Sequence, residues 1–132
     1  MLILRKFFRE TMNYILVGIG AGIGGTLRYW LSAVVYRFLP SYFPFGTLAV
    51  NVLGSFLLGI LIFGFDEKEL LSPTLKLLLA IGFCGGFTTF STFSLETINL
   101  LRDSEFLFAG LNVILNVTVT LASIYLAYIL LK

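Results

Sequence analysis

The chain has 132 residues, 58% of them hydrophobic and 12% charged, with a mean hydropathy of +1.00 and a formal net charge of +2. A soluble domain carries about a quarter charged residues, so this composition excludes an ordinary soluble fold. Histidine is absent and Cys84 is the only cysteine, which excludes an intramolecular disulfide and a Cys/His metal site. The cations are scattered among loops, and this gives nucleic-acid binding no support.

Long uncharged runs define the class. They cover residues 11–27, 45–65, 77–95 and 106–131. About 20 apolar residues in a helix cross the hydrocarbon core, and backbone deprived of water must be helical or closed into a barrel. Barrel strands would alternate polar and apolar residues, and these runs do not. The expectation is an all-α membrane protein, a single membrane domain over 1–132, with helices at about 13–37, 45–65, 75–101 and 106–130. Residues 1–11 form an N-terminal extension. Arg5, Lys6 and Arg9 precede the first apolar run, but no small-residue cleavage site follows, so a signal peptide is not expected.

Helix 1 contains "GIGAGIGGTLRYW". Its G-x-G-x-x-G spacing would need a preceding strand to mean dinucleotide binding, and here it lies within a membrane run. Gly18/Gly22 and Gly20/Gly24 read instead as small-xxx-small pairs for close helix approach. Arg28 follows, placed either to snorkel to the interface or to pair within the protein.

"PSYFPFG" (40–46) ends helix 1 with two prolines, and helix 2 then carries "GTLAVNVLGSFLLG". Helical spacing puts Asn51, Gly54, Ser55 and Gly59 on one face. Asn51 is read either as an interhelical hydrogen bond or as an amide facing a polar path.

"DEKELLSP" (66–73) leads to helix 3 and its most unusual stretch, "CGGFTTFSTFSLE" (84–96). Gly85 and Gly86 weaken the helix, and broken helices at membrane depth occur where they line a cavity or are buried in protein. The expected break lies near 85–89. Beyond it Thr89, Thr92, Phe93 and Glu96 share a face. Hydroxyl donors and the positive edges of aromatic rings are groups that an anion could use in place of water. Isolated phenylalanines and threonines would simply pack and bond back to their own helix; the density of such residues here argues for more.

"RDSE" (102–105) joins helix 4, where Asn112, Asn116 and Thr120 recur every fourth residue and Ser123 follows. Each must find a partner inside the bundle, and together they read as a continuous polar path. Short links make successive helices antiparallel and put both termini on one side. That side holds Arg5, Lys6, Arg9, Lys68, Lys76 and Lys132, against Arg37 and Arg102 opposite, with Arg28 part-way along helix 1. The excess favours cytoplasmic termini. A start at Met12 would nearly remove the bias, and both orientations stay open.

The segments "GGTLRYW" (24–30), "GTLAVNVLGSFLLG" (46–59) and "GFCGGFTTFSTFSLE" (82–96) resemble the Fluc/CrcB family of small dual-topology fluoride channels. The likeness extends over nearly the whole chain from about Met12. It implies an antiparallel homodimer in the cell (inner) membrane, multi-pass, passing fluoride passively out of the cytoplasm through two pores at the subunit interface. By motif, Phe90 and Phe93 would be the ring residues of the path and Asn51 would reach it from helix 2. Ser91, Thr92 and Glu96 match polar positions near it. Asn116 and Thr120 fall on the polar track of helix 4, where Asn116 departs from the usual serine or threonine. Gly85 and Thr88 would give backbone carbonyls to a structural sodium ion (Na+) at the dimer centre. Arg28 matches a structural position.

Three other readings follow from the residues. A small proton-coupled multidrug exporter needs an embedded carboxylate, and Glu96 is the sole candidate, close to the end of helix 3. A non-transporting assembly subunit would leave the segment 85–94 unexplained. An enzyme is disfavoured, because no general acid/base set is present.

Overall fold

The computed structural model describes residues 1–132 and contains helices only. Helix α1 spans Leu2–Phe38. Helix α2 spans Phe45–Gly59 and runs on through wider π-type turns at Ile60–Asp66. Helix α3, residues 73–87, opens as an α-turn at Pro73–Leu75, widens at Lys76–Cys84 and closes at Gly85–Phe87. Helices α4 and α5 span Phe90–Arg102 and Phe106–Leu131. Phe45–Asp66, Pro73–Arg102 and Phe106–Leu131 are each long and apolar enough to cross a membrane. The first helix is longer but less apolar, because its membrane run is rich in glycine and it carries Arg28 and a charged start.

Pairings across the helices fix the topology. α1 and α3 climb in the same direction, since a Cβ at Gly82 would meet Val17, one at Gly86 would meet Ala21 and one at Gly24 would meet Phe87. α2 and α5 are likewise parallel, with Asn51 bonded to Asn116 and Gly59 set against Ala127. α4 runs antiparallel to both of its neighbours, through Thr47 to Glu96 and Asn112 to Thr97. The result is an up-down-up-down bundle with both termini at one end.

The α1–α3 seam depends on missing side chains. A Cβ on Gly20 would lie 2.1 Å from the Leu78 carbonyl oxygen, one on Gly24 2.2 Å from that of Phe83, and one on Gly86 2.4 Å from that of Ala21. These are backbone atoms that cannot swing aside, so only glycine permits the approach. The two expected glycine pairs therefore part company. Gly20/Gly24 makes the seam, whereas Gly18 and Gly22 have nothing within 4 Å of a Cβ position.

The break in the third span is narrower than the sequence indicates. Gly85 keeps helical dihedrals of −64° and −37°, and the helix runs to Phe87. Only Thr88 (φ −83°, ψ 159°) and Thr89 (φ −152°, ψ 122°) are extended. Gly86 is a packing glycine and not a breaker. The stop is made by hydroxyls: Thr88 Oγ1 donates to the Cys84 carbonyl at 2.9 Å, while Thr89 caps α4 by accepting from the Thr92 N–H at 3.2 Å. A threonine at the N-cap satisfies one of the orphan amides of the new helix.

At the terminal end, Ser72 caps α3 by accepting from the Leu75 N–H, with Pro73 at the first helical position. Lys76 pairs with Asp66 at 2.6 Å and ties this end of α2 to α3. At the other end α4 finishes in a Schellman turn: Glu105 N–H reaches the Leu100 carbonyl, Ser104 N–H reaches Leu101, and Ser104 takes φ 61°.

Candidate functional site

The interrupted span places the Thr88–Thr89 backbone beside α2 and α5, and Asn51 fastens it there. Asn51 Oδ1 accepts the Thr89 N–H at 2.8 Å and Asn51 Nδ2 donates to the Thr89 carbonyl at 3.1 Å. The amide thus stands in for the helical partners that the break removes. Its Nδ2 also donates to Asn116 Oδ1 at 3.0 Å. Asn116 in turn directs its Nδ2 to the carbonyl and to Oδ1 of Asn112, at 3.1 and 2.8 Å. Asn112, fully buried, donates to Thr97 Oγ1 at 2.9 Å. A relay of three amides therefore links α4, α5, α2 and the break.

Two cavities lie on either side of Thr89. One, of about 350 Å³, is lined by Asn51, Ser55, Thr88, Thr89, Phe90, Phe93, Asn116, Val117, Thr120 and Leu121. The other, of about 310 Å³, is lined by Gly25, Arg28, Tyr29, Ser32, Tyr36, Thr47, Thr89, Thr92 and Glu96. Thr89 is buried and belongs to both, and its hydroxyl donates to Thr92 Oγ1 at 3.0 Å and lies 3.3 Å from Ser91 Oγ. The wall between the cavities is therefore a cluster of hydroxyls.

The two phenylalanines differ in their setting. Their ring centroids are 5.3 Å apart at 60°. Phe93 is 8% exposed, while Phe90 is 79% exposed and stands at the rim of the first cavity. In the second cavity Glu96 Oε1 accepts from Thr47 Oγ1 at 2.7 Å, and Oε2 is buried without a partner. Arg28 lines the same cavity but makes no ion pair.

The structure thus brings Asn51, Thr88, Phe90, Phe93, Asn116 and Thr120 together in one cavity and Arg28, Thr92 and Glu96 in the other. Ser91 touches the wall through Thr89, and Gly85 lines neither cavity. The polar stripe of the last helix divides. Asn116 and Thr120 face the first cavity, with the Thr120 hydroxyl donating to the Asn116 carbonyl, but Asn112 is sealed inside the bundle and Ser123 donates to the Val52 carbonyl at 3.0 Å. Each found a partner, as desolvation requires, and only half of the stripe lines the cavity. Thr47 lines the second cavity without having stood out in the sequence, and Thr89, expected on the face of Thr92, Phe93 and Glu96, also turns out to cap the helix. Thr47, Asn51 and Ser55 recur every fourth residue on α2, a signal open to reading; the cap at Thr89 is legible only once the break is located.

Such a chain is a small multi-pass helical membrane protein whose broken span opens polar, aromatic-edged cavities. The model of the family described as "CrcB-like protein, Camphor Resistance (CrcB)" matches residues 15–128. The chain is 48% identical over 114 residues to the "Fluoride-specific ion channel FluC" of Shewanella baltica (strain OS185), covering 86% of this chain and 91% of that protein. It is 46% identical, over the same shares, to the proteins of that name from Shewanella sp. (strain ANA-3) and Shewanella oneidensis. This chain belongs to the CrcB-like family.

Proposed function

We propose that the protein is a fluoride-selective passive channel of the inner membrane, releasing fluoride from the cytoplasm and so limiting its toxicity. The observation that carries this reading is the hydroxyl wall at Thr89 and Thr92 between two cavities, with the Phe90 and Phe93 rings on one side. It is supported by the names of relatives that share nearly half of the sequence.

Fluoride is small and strongly hydrated, so a path must replace its water with close donors. Hydroxyls at Ser91, Thr92 and Thr120 can rotate to donate, and the ring edges of Phe90 and Phe93 carry partial positive charge. Asn51 and Asn116 would line the path, with Asn51 holding the Thr89 backbone and Asn116 accepting from Asn51. The first cavity contains no lysine or arginine, which suits conduction, because a bound ion must also be able to leave. Arg28 and Glu96 both line the second cavity. A narrow donor-lined path excludes chloride by width.

An antiparallel homodimer completes the pathway in this reading. Phe90 is largely exposed in the single subunit and the cavity it edges is open, so a two-fold mate would close it. Gly85 and Thr88 would hold a structural sodium ion at the dimer centre. Their fit rests on the break: the Thr89 N–H goes to Asn51 and not back into α3, which leaves last-turn carbonyl oxygens for a hard cation. Gly85, with nothing near its Cβ position, is open to such a neighbour.

The proton-coupled exporter has less support, since Glu96 is bonded to Thr47 beside Arg28 and the relatives carry channel names. Planar-bilayer recording tests the proposal. With fluoride on one side and chloride on the other, the reversal potential should follow the fluoride gradient; a potential insensitive to fluoride would refute it.

A further inference from the structure

We infer that residues 2–11 form an interfacial arm that binds anionic lipid headgroups in the leaflet on the side of the termini. The arm lies outside the family match, which begins at residue 15, so nothing in the common channel scaffold accounts for it. It is helical and continuous with α1, a helix of 37 residues. At 1.5 Å per residue the whole is about 55 Å long, against a hydrocarbon core of about 30 Å. Residues 13–38 already span the core, so the arm must lie at the headgroups or beyond.

Its charges gather on one side. Ile3/Leu4 and Phe7/Phe8, two adjacent pairs four residues apart, share one face of the helix with Thr11, while Arg5, Lys6, Arg9 and Glu10 occupy the other together with Leu2. All of these positions are exposed, with Phe7 at 64% and Phe8 at 63%, so the chain itself offers the apolar side no cover. A membrane entered by the same helix is the surface at hand. Basic amphipathic helices of this type bury their apolar face at the headgroup boundary.

Charge selects the lipid. Three cations face one carboxylate, and only Lys6 approaches it, at 3.9 Å from Glu10. Arg5 and Arg9, one turn apart, have no acidic partner. Lysine and arginine held near an anionic leaflet are attracted over about a Debye length, roughly 8 Å at physiological salt. Zwitterionic headgroups offer no such attraction.

Electron paramagnetic resonance of the full chain in phosphatidylcholine bilayers tests this, using trace spin-labelled phosphatidylglycerol or phosphatidylcholine. The protein should retain the anionic probe about threefold more strongly than the zwitterionic one, and the preference should fall by half or more in 1 M salt. The triple variant R5Q/K6Q/R9Q, which alters exposed side chains only, should lose most of the preference, whereas K68Q/K132Q, also exposed, should keep most of it. Equal retention of the two probes by the unaltered protein overturns the inference. So does a preference that survives R5Q/K6Q/R9Q or disappears only with K68Q/K132Q. No ion flux enters the readout, so its outcome is independent of the channel reading.

Discussion

Asn51 holds both backbone groups of Thr89, accepting its N–H at 2.8 Å and donating to its carbonyl at 3.1 Å. One side chain thereby fixes the point at which the third span stops being a helix. Asn51→Ala removes both bonds and the link to Asn116. Interhelical bonds of this type are worth about 0.6–2 kcal/mol in membranes, so the variant should fold with a thermal midpoint lowered by several degrees. Fluoride flux should fall by roughly tenfold or more, the effect of about 1.4 kcal/mol on a barrier. Asn51→Asp keeps the acceptor but replaces the donor with a carboxylate oxygen facing the Thr89 carbonyl and the anion path, so its flux should fall at least as far as that of Asn51→Ala. Melting curves in detergent and liposome flux on the same samples check this.

Phe90 and Phe93 separate transport from stability. Phe93 is buried, and Phe93→Ala should cost about 3–5 kcal/mol as well as flux. Phe90 is 79% exposed, and Phe90→Ala should change subunit stability by no more than about 0.5 kcal/mol while abolishing most fluoride flux. Paired unfolding and flux measurements on the two variants would show the contrast; a Phe90→Ala protein with full flux would remove that ring from the path.

Two neighbouring glycines should behave in opposite ways. A Cβ at Gly86 would sit 2.4 Å from the Ala21 oxygen and 2.7 Å from its Cα. Gly86→Ala must push α1 and α3 apart, and overpacking of this type costs about 1–3 kcal/mol. At Gly85 a Cβ meets nothing within the subunit. Gly85→Leu should leave helical content unchanged yet reduce the dimer fraction seen by crosslinking, because the proposed mate meets the chain there.

The fold was largely legible, for a simple physical reason. Uncharged runs long enough to span a bilayer leave the backbone no alternative to helix, and prolines and charges mark their ends. Details decided by tertiary contact were not legible. Gly85 and Gly86 look like breakers, but the hydroxyls of Thr88 and Thr89 and the amide of Asn51 make the break, and they need α2 alongside. Gly18/Gly22 and Gly20/Gly24 are equivalent as patterns, and only the direction in which α3 lies distinguishes them. Within the site, the dense run of hydroxyls and rings stood out, and the family motifs pointed to Phe90, Phe93 and Asn51, whereas the buried role of Asn112 depends on Thr97 of the preceding helix.

Ser104 offers a stability test away from the site. It sits at φ 61° in the turn after α4, a left-handed conformation that glycine adopts without the Cβ penalty. Ser104→Gly should raise stability by about 0.5–1 kcal/mol and leave flux unchanged, as read by melting in detergent and by liposome flux.

Passive fluoride conduction is tested by ion efflux from liposomes containing the purified protein, loaded with potassium fluoride and read with a fluoride electrode. A potassium chloride preparation is run in parallel. A passive fluoride channel gives rapid fluoride release once valinomycin supplies the potassium shunt, little release without it, and negligible release of chloride. Fluoride release that ignores valinomycin and follows an imposed proton gradient, or no release from well-folded protein, would contradict a passive channel and bring Glu96 forward as a coupling carboxylate.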